Sequence, residues 1–85
     1  MSKWQVVILK PAERYLNSLS ESDRDKLLDA LRMLQENPLD RKYKKLKGRA
    51  EWSLRVGHRR ILFRIDSNKK YFVVTRIGPR GDVYK

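Results

Sequence analysis

The apolar residues of this chain change their spacing part-way along it, and this change limits the available folds more than any other feature. Between residues 12 and 34 they recur every three or four positions, which is the period of one face of an α-helix. Between residues 52 and 65 they alternate with other residues, which is the period of a half-buried β-strand. We therefore expect helices from the first half to pack on strands from the second.

A strand is predicted at residues 4–9, and a short helix and then a second helix are predicted between it and the β-rich half. Pro11 suits a first helical turn, where its missing N–H is not needed. Ser20 begins a sequence that resembles a capping box, and Asn37-Pro38 ends the second helix. The tight link between the helices indicates an antiparallel hairpin. Its two apolar stripes consist of Ala12, Tyr15, Leu16, Leu19 and of Leu27, Leu28, Leu31, Leu34.

Three strands of a meander are predicted after residue 50, separated by turn sequences at residues 56–59 and 66–69. One face of the first two strands is apolar and should meet the helices, and it consists of Trp52, Leu54, Val56, Ile61, Phe63 and Ile65. The other face carries Arg55, Arg60 and Arg64, and Arg76 belongs there if the third run, apolar at both parities, faces the same way. The prediction is an α+β fold of order β-α-α-β-β-β, with an antiparallel-dominated sheet packed on one face by an α-helical hairpin. We expect a single domain over residues 1–85.

Charge is divided between the same two halves. Residues 1–40 carry a net charge of −1, whereas residues 41–85 carry +12, with fifteen Lys/Arg against three Asp/Glu. Six of the nine residues from 41 to 49 are basic, in a segment that we expect to be extended or a loop. A surface this basic fits a polyanion, and nucleic acid is the first expectation. The expected RNA-binding or ribosome-binding residues are Lys42, Lys44, Lys45, Lys47, Arg49 and Arg76.

Composition also excludes several kinds of site. The chain has no cysteine and one histidine, so thiolate and histidine metal sites and disulfides are excluded. The lone His58 falls in a predicted turn and is best interpreted as a solvated turn residue. No apolar run approaches the length of a membrane span or a signal peptide. We therefore expect a cytoplasmic protein that uses no metal or other cofactor.

Arginines held on strands could assist RNA cleavage, because the attacking group is the 2′-hydroxyl of the RNA itself. A guanidinium matches phosphate oxygens bidentately and can stabilise the charge that develops on them. Tyr84 could stack on a base or pack on the sheet, and residue type does not distinguish these roles. Composition and spacing thus support a nucleic-acid-binding face and leave catalysis open.

Three segments resemble the RelE toxins of bacterial and archaeal toxin–antitoxin modules. They are Leu46-Lys47-Gly48, the run from Trp52 to Phe63 and the run from Ile77 to Lys85. The resemblance implies a metal-independent, ribosome-dependent mRNA endoribonuclease that cuts codons in the ribosomal A site and inhibits translation. It also implies a RelB-like antitoxin as a partner, besides the ribosome and mRNA.

The resemblance further implies roles for four residues. Arg60 would stabilise the scissile phosphate, and Arg80 would stabilise that phosphate and protonate the leaving group. Tyr84 would orient or stack on the mRNA, and Arg55 matches a commonly basic strand position.

This chain departs from the best-known bacterial members at two lysines, one of them a proposed general base, which correspond here to Glu51 and Ser53. Lys44, Lys45 or Lys47 could act from the preceding segment, or the reaction depends on charge stabilisation alone. Two other functions remain open. ParE-like toxins share the fold but inhibit DNA gyrase without nuclease chemistry, and a non-catalytic RNA-binding module would need only the basic face.

Overall fold

Two helices lie against one face of a mixed sheet in the computed structural model, which describes residues 3–38 and 43–79. In chain order the elements are β1 (Gln5–Ile8), α1 (Lys10–Asn17), α2 (Glu21–Glu36), β2 (Lys44–Lys45), β3 (Trp52–Val56), β4 (Arg59–Asp66) and β5 (Tyr71–Pro79). The sheet order is β1-β5-β4-β3-β2, with β1 parallel to β5 and every other pair antiparallel. The predicted α+β class and helical hairpin are confirmed, and the short β2 is one strand more than predicted.

The helices begin and end where the sequence indicates. Pro11 lies in the first turn of α1, and the Ser20 hydroxyl accepts a hydrogen bond of 3.3 Å from the Asp23 backbone N–H at the start of α2. The prediction was wrong at Leu28, whose exposed fraction is 41%. Leu28 lies about 100° around the helix from Leu27, outside the buried stripe. None of the helices within the described ranges is long and apolar enough to cross a membrane.

The core lies between the helices and the sheet, as predicted. Leu31 is 3% exposed and packs in the same cluster as Phe63, which is fully buried. Tyr43 closes one end of this core, with its ring edge-on to both Trp52 and Phe63 at centroid distances of 5.4 and 5.3 Å. The remaining buried members are Ala12, Leu16, Leu27, Leu34, Ile61, Phe72, Val74 and Ile77.

A β-bulge explains why the third meander strand is apolar at both parities. Phe63 pairs with Val74 but Leu62 pairs with Arg76, so Thr75 is an extra residue in β5. The bulge shifts the alternation by one position. Both Val74 and Ile77 therefore face the helices, and Arg76 lies on the opposite face.

Part of the basic segment forms a hairpin with β3. Lys44 and Lys45 pair with Ser53 and Trp52, and the Leu46 N–H donates a hydrogen bond of 3.0 Å to the Glu51 carbonyl. The turn between the strands places Gly48 at φ +73°, a left-handed conformation that glycine adopts without strain. The extended-or-loop prediction for this segment is thus confirmed over residues 43–49.

Candidate RNA-binding face

The sheet face turned away from the helices, here called the open face, carries a group of cations. Arg55 on β3 lies directly opposite Arg60 on β4. Side chains in such a pair have Cβ atoms about 4.5–5.5 Å apart, and like charges there destabilise a sheet. A fold that keeps two arginines in this arrangement holds a concentrated positive charge at a fixed position, which is the property needed to bind phosphate.

Arg60 has Arg55 opposite it on β3 and a residue without a side chain opposite it on β5. Its partner on β5 is Gly78, and Arg76 is the diagonal neighbour of Arg60 on that strand, at about 7–8 Å. Arg60 is half-buried, whereas Arg55 and Arg76 are exposed. The three predicted site residues Arg55, Arg60 and Arg76 therefore lie together across three adjacent strands.

The turn between β3 and β4 provides a hydrogen-bond acceptor for the Arg55 side chain. The Arg55 Nε donates a hydrogen bond of 3.4 Å to the Gly57 carbonyl, and Gly57 adopts φ +61° to make the turn. His58 lies in the same turn and is exposed, in agreement with its interpretation as a solvated turn residue.

Lys44 and Lys45 lie on opposite faces of the sheet although they are adjacent in sequence. Lys44 pairs with Ser53, which shares the open face with Arg55, whereas Lys45 pairs with Trp52 on the helix side. Lys44 is thus a diagonal neighbour of Arg55, about 7–8 Å away. We call Lys44, Arg55, Arg60 and Arg76 the cationic band, because they cross β2, β3, β4 and β5 in that order.

Glu51 forms a brace beside this band. Its carboxylate accepts a hydrogen bond from the Thr75 hydroxyl and another, of 2.7 Å, from the Arg49 guanidinium. Because Thr75 is the extra residue of the bulge in β5, the Glu51 side chain reaches across β4 to that strand. The Thr75 hydroxyl oxygen also lies 3.3 Å from the carbonyl oxygen of Leu62 on β4. Leu62 is only 1% exposed although it lies on the open face. Sequence reasoning missed this brace, because no sequence pattern indicates that residues 51 and 75 are in contact.

Arg59, which sequence reasoning did not single out, joins the sheet to both helices. Its Nε donates a hydrogen bond of 3.1 Å to the Tyr15 hydroxyl, and its Nη2 lies 3.4 Å from the Asp23 carboxylate. The Tyr15 hydrogen bond raises the pKa of the Arg59 guanidinium, with a smaller contribution from the charge of Asp23 and partial opposition from burial. Arg59 therefore belongs to the structural framework, and its neighbour Arg60 to the open face.

The other predicted site residues fall in two groups. Lys47 and Arg49 are exposed in the β2–β3 turn and are not members of the cationic band. Lys42, Arg80 and Tyr84 lie outside the described residues, so their roles stay predictions. Within residues 3–38 and 43–79, no three His, Asp or Glu side chains converge as metal ligands would.

A family model described as the ParE toxin of the type II toxin–antitoxin system parDE matches residues 6–84, nearly the whole chain. The chain belongs to this toxin family. It is therefore a type II toxin of the RelE/ParE superfamily, as the sequence resemblance indicated. No curated protein sequence matches the toxin significantly.

Solved structures give the same fold. The toxin is similar to a chain of the RelBE2 toxin–antitoxin complex from Mycobacterium tuberculosis, with 28% identity, a TM-score of 0.80 and coverage of 92% of this chain and 99% of that one. It also resembles a chain of the archaeal RelE–RelB complex from Pyrococcus horikoshii, with 23% identity, a TM-score of 0.80 and coverage of 95% and 99%. A YoeB/ParE toxin from Agrobacterium tumefaciens is 19% identical, with a TM-score of 0.74 and coverage of 89% and 98%.

Proposed function

We propose that this type II toxin is a ribosome-dependent mRNA endoribonuclease that cuts codons in the ribosomal A site and so inhibits translation. The observation that carries the proposal is the direct pairing of Arg55 with Arg60 on the open face. Two guanidinium groups held side by side on a sheet are preorganised for a phosphate whose charge increases in the transition state. The resemblance of the segments around these arginines to RelE toxins supports the same function.

The proposed reaction uses only groups of the RNA and of the protein. The 2′-oxygen of the upstream nucleotide attacks the adjacent phosphorus while the bond from phosphorus to the 5′-oxygen breaks. The products are a 2′,3′-cyclic phosphate and a free 5′-hydroxyl. The 2′-hydroxyl proton leaves to a base or to water, and the 5′-oxygen gains a proton. The reaction requires no metal or other cofactor.

Each predicted residue has a place in this reaction. Arg60 contacts the scissile phosphate, with Arg55 and Arg76 adding positive charge on either side. Arg80 stabilises the same phosphate and protonates the 5′-oxygen, and Tyr84 orients the mRNA by stacking. Since the oxygens of Glu51 accept hydrogen bonds from Thr75 and Arg49, Glu51 serves as a brace and not as the base.

The remaining basic residues bind the ribosome in this proposal. Lys42, Lys45, Lys47 and Arg49 contact the phosphates of ribosomal RNA through their positive charge. Such contacts add affinity that depends on salt but carry little sequence information.

A RelB-like antitoxin is the proposed partner in the cytoplasm. The similar chains from M. tuberculosis and P. horikoshii come from complexes of RelE-type toxins with their antitoxins. The net charge of +11 predicts that an acidic antitoxin associates quickly and that salt slows the association. Because the antitoxin binds the folded toxin, it should raise the melting temperature as its concentration rises.

A second candidate function is inhibition of DNA gyrase. It is favoured by the description of the matching family, which names the ParE toxin. In that case the open face would bind a protein or DNA, and the toxin would cut no RNA.

A cell-free translation reaction tests the two functions together. Purified toxin should stop translation, and mapping of the mRNA ends should show cuts inside translated codons that disappear when ribosomes are omitted. A parallel gyrase supercoiling assay should be unaffected. Intact mRNA together with inhibited supercoiling would replace this proposal with gyrase inhibition, and binding of RNA with neither effect would indicate a non-catalytic module.

A further inference from the structure

Two adjacent lysines of β2 provide a contrast that the sequence alone does not. Lys44 and Lys45 are both exposed and occupy the two positions of one short strand. Their pairing with Ser53 and Trp52 places Lys44 on the open face and Lys45 on the helix side. Two exposed residues with the same charge therefore face different surroundings.

The surroundings of Lys44 leave its ammonium available to a ligand. Lys44 is exposed, and its partner in the register, Ser53, has only a short side chain. Among residues 3–38 and 43–79, the ion pairs present do not include Lys44. Glu51, the carboxylate nearest in register, already accepts hydrogen bonds from Arg49 and Thr75.

Lys44 continues the row of arginines across the strands, onto β2. Lys44 is diagonal to Arg55, Arg55 is opposite Arg60, and Arg60 is diagonal to Arg76. The band therefore runs across the strands. Along β4 the next cation on this face is Arg64, four residues from Arg60 and about 13 Å away. Charge is denser across the strands than along them.

We propose that Lys44 binds a backbone phosphate of the RNA substrate next to the scissile one, so that the RNA crosses the strands from β5 to β2. This inference rests on the proposed endoribonuclease function. Lys44 acts as a point charge that donates hydrogen bonds to non-bridging phosphate oxygens. It positions the RNA over Arg55 and Arg60, and it takes no proton from the 2′-hydroxyl.

The test compares three lysine variants on stalled ribosomes at saturating toxin. In single-turnover cleavage, Lys44→Ala should be slower by roughly 10- to 100-fold, the loss expected for a hydrogen bond to a charged group. Lys44→Arg should recover most of the rate and keep the pH profile of the natural toxin. Lys45→Ala should lose ribosome affinity without the same loss of cleavage rate. Lys69→Ala, in the exposed β4–β5 turn, should match the natural toxin.

A modified substrate shows whether Lys44 touches the phosphate. Methylphosphonates are placed singly at each linkage around the cut, so that one phosphate charge is removed at a time. One of them, next to the scissile linkage, should slow the natural toxin and leave Lys44→Ala almost unaffected. Such non-additivity reports direct contact, which a purely structural role would not produce.

The failure of this inference differs from the failure of the proposed function. If the natural toxin cuts mRNA but Lys44→Ala and Lys45→Ala have equal cleavage rates, or every methylphosphonate effect adds to that of Lys44→Ala, the role of Lys44 is wrong and the nuclease function stands. If the natural toxin cuts no mRNA, both are wrong.

Discussion

The two faces of the sheet are formed by alternate residues of the same strands, yet the helix side holds the apolar core and the open face holds the cationic band. Ile61 and Phe63 face the helices with no exposed surface, whereas Arg60 and Arg64 on the same strand face away. Since neighbouring residues belong to different faces, a substitution at one position should alter stability and at the next should alter RNA chemistry. The comparison separates the two properties residue by residue.

The largest effect is expected at the helix side. Leu31→Ala should lower the free energy of unfolding by about 2–5 kcal/mol, because it leaves a cavity in a small core. Urea denaturation measures this loss. Leu28→Ala is the matched control, since it removes the same atoms from an exposed position on the same helix and should cost less than about 1 kcal/mol. Equal losses would contradict the assignment of faces on α2.

Substitutions on the open face should lower mRNA cleavage and have little effect on stability. Arg60→Ala should slow single-turnover mRNA cleavage by about 100- to 1,000-fold, the usual effect of removing one preorganised donor to a developing anion. Its melting temperature, followed by circular dichroism, should change much less than that of Leu31→Ala. Arg64→Ala removes the same charge from the same strand and face, and it should retain most of the activity. A similar loss in both variants would mean that only total charge matters.

At the Glu51 brace, a substitution on the open face should lower stability as well. Thr75→Val removes the hydroxyl that donates to the Glu51 carboxylate, and the loss should be about 1.5–3 kcal/mol of unfolding free energy. Thr75→Ser keeps the hydroxyl and serves as the control. Stability unchanged by Thr75→Val would show that the open face contributes nothing to the fold at this position.

The smallest effect is expected in the β2–β3 turn. Lys47→Ala should weaken ribosome binding and reduce the slope of log affinity against log salt by about 1, as loss of one phosphate contact does. Binding titrations at several salt concentrations give this slope. Lys26→Ala, exposed on α2, is the control for lost charge. A slope that stays unchanged for Lys47→Ala would remove the turn from the ribosome-binding surface.

The sequence predicted the faces of β3 and β4 correctly because large apolar residues recur at every second position of both strands and a bulge interrupts neither strand; Leu62 is the one apolar residue on their open face. It left β5 undecided, since a run that is apolar at both parities does not reveal where a bulge shifts the alternation, and Thr75 carries no distinguishing signal. Leu28 was assigned to the wrong surface because it is adjacent to Leu27, and composition alone does not set the width of a buried stripe.

The candidate site was predictable only in part. The arginines followed from period two and from the resemblance to RelE toxins. The different facing of Lys44 and Lys45 depends on the register of a two-residue strand, which the sequence does not determine. The contact between Glu51 and Thr75 joins residues 24 positions apart, and only the folded chain brings them together.

The position of β5 has a consequence for the order in which the protein takes shape during its synthesis. β5 lies between β1 and β4, yet it is the last of the described strands to be made. Until residues 71–79 emerge, β1 lacks its partner and Arg76 is absent from beside Arg60. A nascent chain can therefore form the β3–β4 hairpin and the helices but not the complete cationic band. Under the proposed activity, the toxin therefore cannot act on RNA before residues 71–79 have been synthesised.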